Sequence, residues 1–543
     1  MTGIWNIIFA VLAAAATAFA ALRPIHMLQL ESYQGNMYIK WIRRAGGRDA
    51  LMYLLCAGIA FMLRIGWVFF YYDMPTFAAI LWYGADVAYI GFMLYVGFSN
   101  RKQSAKKPLV YTGRVKRLLI VLFVLSAVFH MSLFLPFYLS DWGGVLSMNL
   151  LRYLPGLLLP LFVLLAHCIT LPVENSVKRW YFNDAKHKLA SREDVIKIGI
   201  TGSYGKTSTK FILGTILQER WNTLVTPSSF NTPMGVTRII REKLETEHTV
   251  FVAEMGARYK GDITELCKLV GPRYGIITSV GKQHLDTFGS YEAVLNTKFE
   301  LLRALPENGA AFLNGDNEGC RQMYADCTLK EKYLFGLNGD GLYMKASDIQ
   351  VNSLGSAFAL TAEDGASVSC QTVLLGRHNI VNITGAAALA KYLGLTMEQI
   401  AAGIRKLQPV EHRLQLIQGP VTVIDDAFNS NPAGAKAALE VLKSFAPARR
   451  IIVTPGMIEL GEEEEALNEV FGQDIAQAAD IAILVGKGRI EPIKRGLLQA
   501  GFAEDHVVQA NTLNDATTKL PLYAAPGSVV LFENDLPDNY DNA

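Results

Sequence analysis

The chain has 543 residues, of which 51% are hydrophobic, and its formal net charge at pH 7 is +2. That length exceeds what one hydrophobic core supports, so we expect several domains. The nearly neutral charge gives no bulk electrostatic reason to expect nucleic-acid binding. Six cysteines are scattered without a Cys-x-x-Cys pair, which favours reduced, buried thiols over a disulfide framework or a zinc site.

The first third of the chain is predicted to be an α-helical membrane domain with five transmembrane helices, over residues 1–171. A helix needs about 20 apolar residues to cross a bilayer, and five stretches approach that length: Ile4–Leu22, Leu51–Tyr72, Pro75–Phe98, Leu118–Leu139 and Val145–Thr170. Of the four loops between these stretches, only those after the first and third contain lysine and arginine. Since basic loops face the cytoplasm, the N-terminus is expected outside and the remainder of the chain in the cytoplasm.

Four ionisable residues lie inside these stretches at a similar depth, namely Arg64, Asp86, His130 and Arg152. Such groups are costly in a bilayer and usually face a partner or a wet cavity. One interpretation is a polar pocket for a lipid head group or carrier. The other is a structural pair of Arg64 and Asp86, with the remaining side chains snorkelling to the interface.

Residues 172–194 are charged and group three aromatic residues at 180–182, which is typical of an interfacial helix; a plain linker is the alternative. Beyond them, strand and helix patterns alternate, as in doubly wound α/β domains. We expect one α/β domain over 195–408, with a small antiparallel insertion at Gly341–Leu375. A Rossmann-like domain without a dinucleotide glycine fingerprint is expected over 409–543.

The stretch GITGSYGKTSTK, Gly199–Lys210, follows a predicted buried strand and opens a predicted amphipathic helix. In that context the amides of the loop and of the helix N-terminus point at phosphate. Lys206 can reach terminal phosphates, and the Thr207 hydroxyl can ligate magnesium. The loop is shorter than the common P-loop, because Ile200 occupies the position of its first glycine.

This Thr-Gly-x-x-Gly-Lys-Thr turn resembles the loop of the Mur ligases, the ATP-dependent amide-bond-forming enzymes of peptidoglycan synthesis. The resemblance extends over Val195–Gly488, where further motifs follow in the family's order: Thr226–Val236, Val250–Ile263, Ile277–Ser290, Asn296–Leu302, Leu374–Ala390, Val410–Gln415 and Val423–Leu439. The Asp-Asp-x-x-Asn-x-Asn-Pro string resembles the MurF type, which adds D-alanyl-D-alanine. A central P-loop ATPase domain and a C-terminal Rossmann-like domain are implied.

The resemblance also implies roles for individual residues, with ATP and Mg²⁺ as cofactors. The implied nucleotide-binding residues are Thr201, Gly202, Ser203, Gly205, Lys206, Thr207, Ser208, Asn379, Arg413, Asp425 and Asn429. The implied metal ligands are Thr207, Glu254, His284 and Lys298, the lysine as a carbamate formed with carbon dioxide. The implied catalytic residues are Lys206, Lys298, His378 and Arg413, and the implied substrate contacts are Asn231 and Asn431.

Two features depart from the MurF pattern. The predicted membrane helices stand where that type has a soluble domain for the uridine nucleotide, and Asn468 stands where it often has histidine. We therefore expect a membrane-anchored ligase that phosphorylates a carboxylate and joins it to an amino acid or dipeptide, with an acceptor held at the membrane. Action with or without a partner subunit stays open. The alternatives are a synthase of poly-γ-glutamate type and a membrane sensor or transporter subunit that binds ATP.

Overall fold

The computed structural model describes residues 2–44, 46–70, 73–101, 108–131, 151–228, 230–281, 285–352, 355–428, 431–458, 460–486, 488 and 490–535. These residues form two compact units, Met1–Arg179 and Trp180–Ala543. The first unit is helical, and the second combines helices with two sheets.

The helical unit contains α1 to α7 and the first part of α8. Their bounds are Thr2–Ala20, Leu22–Leu30, Gly35–Arg44, Gly46–Phe70, Pro75–Arg101, Gly113–His130, 151–157 and Leu159–Ala190. The buried face of α1 consists largely of alanine, which lets neighbouring helices approach closely. The Thr112 hydroxyl accepts a hydrogen bond from the Val115 amide and so caps the start of α6.

Three described helices are long and apolar enough to cross a membrane, within Ala50–Trp67, Pro75–Asn100 and Leu159–Ala190. A fourth span results if α1 and α2, which meet at a 40° bend, are counted together. The prediction of five spans is therefore only partly supported, since residues 132–150 of the fourth and fifth stretches lie outside the described residues. Helix α8 continues through Pro172 to Ala190, so most of the predicted 172–194 linker extends this helix.

The four ionisable residues of the helical unit do converge, on Asp86. The Arg152 Nη2 atom lies 2.7 Å from Asp86 Oδ2, and Arg64 Nη1 lies 3.6 Å from the same oxygen. The His130 Nδ1 atom lies 2.6 Å from the carbonyl oxygen of Arg152. All four side chains are fully buried. The structural pair is present, but the expectation that the other residues snorkel is wrong, because Arg152 and His130 point into the unit.

The first sheet has nine strands in the order β2-β3-β1-β4-β5-β6-β7-β8-β9. Strands β1 to β9 are Ile196–Thr201, Thr223–Val225, Val250–Glu254, Tyr274–Ile277, Ala310–Asn314, Glu331–Gly336, Met344–Asn352, Gly355–Ala362 and Ser367–Thr372. The pairings from β2 to β7 are parallel, and the last two are antiparallel. The predicted antiparallel insertion is thus confirmed, as an extension of the same sheet.

The helices α9 to α16 that accompany this sheet are Lys206–Leu217, Pro233–Lys243, Asp262–Val270, Leu285–Phe288, Tyr291–Ala304, Glu318–Asp326, Arg377–Tyr392 and Met397–Arg405. Strand β1 lies inside the sheet between β3 and β4, and its buried Ile198 and Ile200 anchor it in the core. Its register pairs Ile200 with Glu254 of β3 and Thr201 with Ile277 of β4. The carboxyl ends of these strands therefore meet at one edge, where ligands bind in open α/β sheets.

The second sheet has six strands in the order β10-β11-β15-β12-β13-β14. Strands β10 to β15 are Gln415–Ile417, Thr422–Asp426, Arg450–Thr454, Ile481–Val485, Val507–Ala510 and Val529–Glu533. Only the β10–β11 pairing is antiparallel. Helices α17 to α20 are Pro432–Lys443, Glu464–Ala478, Glu491–Gln499 and Leu513–Lys519, with short 3-10 turns at Gly461–Glu463, Glu504–His506 and Leu520–Leu522. Strands β11, β12, β13 and β15 are short apolar runs, as the Rossmann-like layout expected for residues 409–543 requires.

Candidate active site

The loop between β1 and α9 is packed so tightly that two of its positions require glycine. A Cβ atom on Gly202 would collide with the Thr278 hydroxyl, and one on Gly205 would lie 2.6 Å from Asn382 Oδ1. Gly205 also has φ +79°, a left-handed conformation that favours glycine. Helix α9 begins at Lys206 without a side-chain cap. Its first amides are therefore available to an anion such as phosphate.

The polar side chains of the loop hold its shape against the ends of neighbouring strands. Ser203 Oγ accepts a hydrogen bond of 3.0 Å from the Gly281 amide, and the Tyr204 amide donates to Ser279 Oγ at 2.9 Å. Thr201 Oγ1 donates to the carbonyl oxygen of Met255 at 2.8 Å. The hydroxyls of Thr201 and Ser203, both implied nucleotide contacts, thus order the loop, while its amides remain to bind phosphate.

The Lys206 ammonium folds back onto its own loop. Its Nζ atom donates to the carbonyl oxygens of Gly202 at 2.7 Å and Ser203 at 2.9 Å. Burial lowers the pKa of Lys206 to about 8, although Glu254 opposes that shift. A phosphate oxygen would be a stronger partner than these carbonyls, because its negative charge attracts the ammonium whereas a carbonyl oxygen is neutral.

Glu254, at the end of β3, accepts hydrogen bonds through both carboxylate oxygens. Oε1 accepts from Thr207 Oγ1 at 3.1 Å and from Asn231 Nδ2 at 3.0 Å. Oε2 accepts from Lys210 Nζ at 3.0 Å. Burial by itself would raise the pKa of Glu254, but the charges of Lys210 and Lys206 hold it below its usual value. The buried carboxylate is therefore ionised at neutral pH.

The Thr207 hydroxyl and the Glu254 carboxylate are hard oxygen donors that fit Mg²⁺. Within the part of the chain that the structure describes, no three His, Cys, Asp or Glu side chains group together as metal ligands do. His284, the implied third ligand, lies outside the described residues. Two protein oxygens suit a magnesium ion that is completed by water and substrate phosphates, as Mg²⁺ sites usually are.

Lys298 lies on α13 with only 3% of its surface exposed. Burial, with a smaller contribution from Lys206, lowers the pKa of Lys298 to about 7, against the attraction of Asp262 and Glu300. At pH 7, Lys298 is then uncharged in roughly half of the protein molecules. The neutral amine is the form that reacts with carbon dioxide, so this environment suits the implied carbamate.

Arg413 reaches the same site from the second sheet's domain. Its Nη2 atom lies 3.5 Å from Thr207 Oγ1, and its guanidinium stacks over the Phe428 ring, 4.8 Å from the centroid. A small pocket beside α9 is lined by Ser208, Phe211, Leu374, Asn379 and Arg413, among others. Its lining mixes polar and apolar side chains, the combination that small-molecule sites use to bury a ligand and fix its orientation.

Other implied site residues have structural partners. Asn379 Nδ2 donates to the Leu375 carbonyl at 2.8 Å. Asp425 Oδ2 lies 2.7 Å from His412 Nδ1. Asn431 Oδ1 accepts from the Gly434 amide and so caps α17. Asn429 lies outside the described residues.

His378, an implied catalytic residue, is held neutral by its surroundings. Burial lowers the pKa of His378 to about 4. Its Nδ1 atom is buried and has no hydrogen-bond partner among the residues that the structure describes. The side chain packs beside Gly376, at the start of α15. As a neutral imidazole it could donate or accept a hydrogen bond with a bound group without carrying charge.

The sequence reasoning missed Lys210. This side chain is wholly buried and forms an ion pair with Glu254. A signal was present, because residues three apart on a helix share a face, and Lys210 stands three positions after Thr207 on α9. The expectation that Glu254 ligates magnesium did not include this internal cation.

Comparisons with known proteins agree with this geometry. Residues 200–390 match the Mur ligase middle domain, and residues 412–533 match the Mur ligase, glutamate ligase domain. The UDP-N-acetylmuramoyl-tripeptide–D-alanyl-D-alanine ligase of Escherichia coli (strain K12) is 35% identical over 295 residues, covering 54% of this chain and 64% of that protein. The ligase of the same name from Mycobacterium tuberculosis (strain H37Rv) is 34% identical over 358 residues, covering 62% and 69%.

A crystal structure of MurF from Acinetobacter baumannii superposes with a TM-score of 0.60 and 27% identity, covering 66% of this chain and 77% of that one. The chain thus spans about two thirds to three quarters of the length of these proteins. The domains matched are those that carry the phosphate loop, Glu254 and Arg413. The chain therefore belongs to the Mur ligase family of ATP-dependent carbon–nitrogen ligases.

Proposed function

We propose that this protein is a membrane-anchored ligase of the MurF type, which activates a carboxylate as an acyl phosphate and joins it to the amine of an amino acid or dipeptide. The product would be a cell-envelope precursor. One observation carries the proposal: Lys206, Thr207, Glu254 and Arg413 form a single cluster at the carboxyl edge of a parallel sheet, with Thr207 and Glu254 buried and Lys206 and Arg413 half-buried. Relatives of 34–35% identity are named UDP-N-acetylmuramoyl-tripeptide–D-alanyl-D-alanine ligases, which supports the dipeptide as amine.

The charges of the cluster suit ATP-dependent activation of a carboxylate. Transfer of the γ-phosphoryl group brings two anions together, so cations must neutralise them. Lys206 and Arg413 are the protein's own cations, and Thr207 and Glu254 would hold magnesium. When bound, the metal would add positive charge next to the transferred phosphoryl group. The amides of the loop 202–205 would bind the phosphates, and the pocket beside α9 would take the adenine ring.

The remaining implied residues complete this proposal. We assign Asn379, which lines the pocket beside α9, and Asp425 to the nucleotide, and Asn231 to the loop that contacts the acyl substrate. Lys298, with its pKa of about 7, can react with carbon dioxide and become an anion. As a carbamate it would serve as a metal ligand, whereas an ammonium would repel the cation.

The membrane assignment rests on the apolar helices and on the loop charges. The three or four membrane-length helices and the basic loops between them support a multi-pass protein with its catalytic domains in the cytoplasm. An anchor is useful to a ligase whose acceptor is itself linked to a lipid, and we propose such an acceptor. Recovery of the protein in the supernatant of membranes washed with alkaline carbonate would contradict this assignment.

The test of the activity is phosphate release from ATP by the detergent-purified full chain, with Lys206→Ala as control. The panel contains UDP-N-acetylmuramoyl tripeptide, lipid-linked muramoyl peptide and free glutamate, each with and without D-alanyl-D-alanine. We expect release to require a muramoyl peptide together with the dipeptide, and to be lost in Lys206→Ala. Release with glutamate alone would overturn the proposal in favour of a polymer synthase.

A further inference from the structure

Arg114, a half-buried arginine at the start of α6, carries a donor that no described residue satisfies. Its Nε atom is buried and has no hydrogen-bond partner within the described part of the chain. Its Cζ atom lies 3.8 Å from the centroid of the Tyr33 ring, so the guanidinium rests on that ring. A guanidinium that is supported on its face presents its N–H edge to a planar or tetrahedral anion, such as a carboxylate or a phosphate.

The charge of Glu174 attracts Arg114, but both oxygens of this carboxylate are already bonded to Arg117. Arg117 Nε donates to Glu174 Oε1 at 2.7 Å, and Arg117 Nη2 donates to Oε2 at 2.9 Å. Glu174 is buried, whereas both arginines are half-buried. Two guanidinium charges therefore share one carboxylate, and the group has a surplus of positive charge.

Tyr33, which supports Arg114, is itself fixed in an unusual conformation. Its φ is +60°, a left-handed value that is uncommon for a residue with a side chain. The Tyr33 amide donates to the Leu28 carbonyl at 2.8 Å, and the Tyr33 hydroxyl accepts from Gln29 Nε2 at 3.2 Å. The ring of the buried His167 lies beside it, with 6.4 Å between the ring centroids. Since such a conformation persists only when its surroundings enforce it, the Tyr33 ring is a rigid support.

The group lies where two apolar helices become polar. The apolar run of α6 begins at Leu118, directly after Arg117, and that of α8 ends at Val173, directly before Glu174. The ion pair of Arg117 and Glu174 therefore joins the polar ends of both helices at one level. In the proposed topology this level is the cytoplasmic surface of the bilayer, where the phosphates of lipids are the abundant anions.

We propose that Arg114 is the centre of a binding site for the phosphate group of a lipid in the cytoplasmic leaflet. The edge of its guanidinium would donate parallel hydrogen bonds to two phosphate oxygens while its face stays on the Tyr33 ring. The phosphate would also neutralise the surplus charge of Arg114 and Arg117. A membrane phospholipid and a lipid-linked acceptor both supply such a phosphate. The inference rests on the membrane assignment of the proposed function, and with the second lipid it gives the acceptor a seat.

The experiment is lipid titration of the detergent-purified full chain, followed by native mass spectrometry without nucleotide. Three lipids are compared: phosphatidylglycerol, lipid-linked muramoyl peptide and diacylglycerol, which lacks a phosphate. In the wild type we expect at least one phosphate lipid to bind about tenfold or more tightly than diacylglycerol, because charge-assisted hydrogen bonds favour it. In Arg114→Met we expect this preference to fall about tenfold, since both bonds to the phosphate are lost.

Lys116→Met is the matched control. Lys116 is an exposed lysine of the same helix, so its replacement removes the same charge without touching the Tyr33 ring. We expect its lipid preference to stay within about twofold of the wild type, because an exposed charge contributes little. Thermal unfolding checks that each variant is folded. Arg114→Gln, which is polar but uncharged, replaces Arg114→Met if the latter misfolds.

A preference lost in Arg114→Met and kept in Lys116→Met would support the inference, and the lipid that shows the loss would identify the source of the phosphate. Wild-type protein that binds all three lipids equally would overturn the inference, since the phosphate would then not be recognised. An unchanged preference in Arg114→Met would overturn it as well. The same loss in both variants would also do so, because it would reflect overall charge alone.

The lipid site and the proposed reaction can fail separately, since binding is measured without turnover. A protein whose lipid preference depends on Arg114, but that releases no phosphate from ATP with any acceptor, would support the site and count against the reaction. A protein that joins a muramoyl peptide to the dipeptide, but binds lipids independently of Arg114, would support the reaction and overturn the site.

Discussion

Replacing Asp86 by asparagine should strongly destabilise the helical unit. Asp86 Oδ1 accepts from Arg152 Nε at 3.1 Å and Tyr153 Oη at 2.8 Å. Oδ2 accepts from Arg152 Nη2 at 2.7 Å and Trp5 Nε1 at 2.9 Å, and Arg64 lies 3.6 Å away. These donors come from three helices, α1, α4 and α7, and Asp86 itself lies on α5, so one carboxylate connects four helices of the unit.

The magnitude follows from this geometry. An asparagine at position 86 keeps one acceptor oxygen and replaces the other carboxylate oxygen by an NH₂ group. That NH₂ group then faces the two donors that bonded to the replaced oxygen. Two hydrogen bonds to a charged group, each contributing roughly 1.5 kcal/mol or more, are lost in either orientation. Removing one partner of a buried ion pair costs about 3–5 kcal/mol, because the remaining charges stay buried. We therefore expect a loss of about 3–5 kcal/mol.

The assay is thermal unfolding of the detergent-solubilised full chain, followed by tryptophan fluorescence. Five of the seven tryptophans precede residue 172, so the signal reports mainly on the helical unit. For a unit of this size the expected loss corresponds to a fall in Tm of about 10 °C. Asp73→Asn, at an exposed aspartate of the same unit, is the control. An Asp86→Asn protein that melts within about 2 °C of this control would refute the reasoning.

Three further predictions concern the other domains. Incorporation of ¹³C-bicarbonate into Lys298, followed by carbon NMR, should increase as pH rises through about 7, because only the neutral amine reacts; Lys298→Gln should show no signal at any pH. Glu254→Gln should weaken binding of Mg²⁺-ATP about tenfold or more in calorimetry, with little change in metal-free ATP binding; equal losses in both would contradict the metal role. Asn468→Ala should reduce the free energy of unfolding, measured in urea, by about 2–3 kcal/mol, because the Asn468 side-chain amide bonds to the Met457 amide, the Met457 carbonyl and the Glu464 carbonyl. An unchanged midpoint of urea unfolding would contradict this structural role.

Local patterns were sufficient to predict the phosphate loop and the order of strands and helices. The sequence around Gly202, Gly205 and Lys206 specifies a strand, a tight turn and a helix start within a dozen residues, and each signal is local. The four apolar runs of the second sheet were predictable for the same reason, since buried parallel strands read as short hydrophobic runs. Similarly, apolar length alone indicated the membrane-length helices.

Contacts between distant residues could not be predicted in this way. Asp86 and Arg152 are 66 positions apart, and Lys210 and Glu254 are 44 apart, so their pairing depends on how the helices and strands pack. Arg152 was expected to snorkel because a lone arginine in an apolar stretch does so, whereas here the packed helices supply it with a buried carboxylate.

By itself, the sequence determined the kinds of elements, their order, and the chemistry available at the phosphate loop, because each depends on neighbours along the chain. Only the tertiary structure decided the charge states of the side chains at that loop and the residues with which they pair. Burial lowers the pKa of Lys298 to about 7 and that of Lys206 to about 8. The packing of α9 against β3 places Lys210 next to Glu254. The cost of removing a charge from water depends on everything packed around it, and that surrounding exists only in the folded chain.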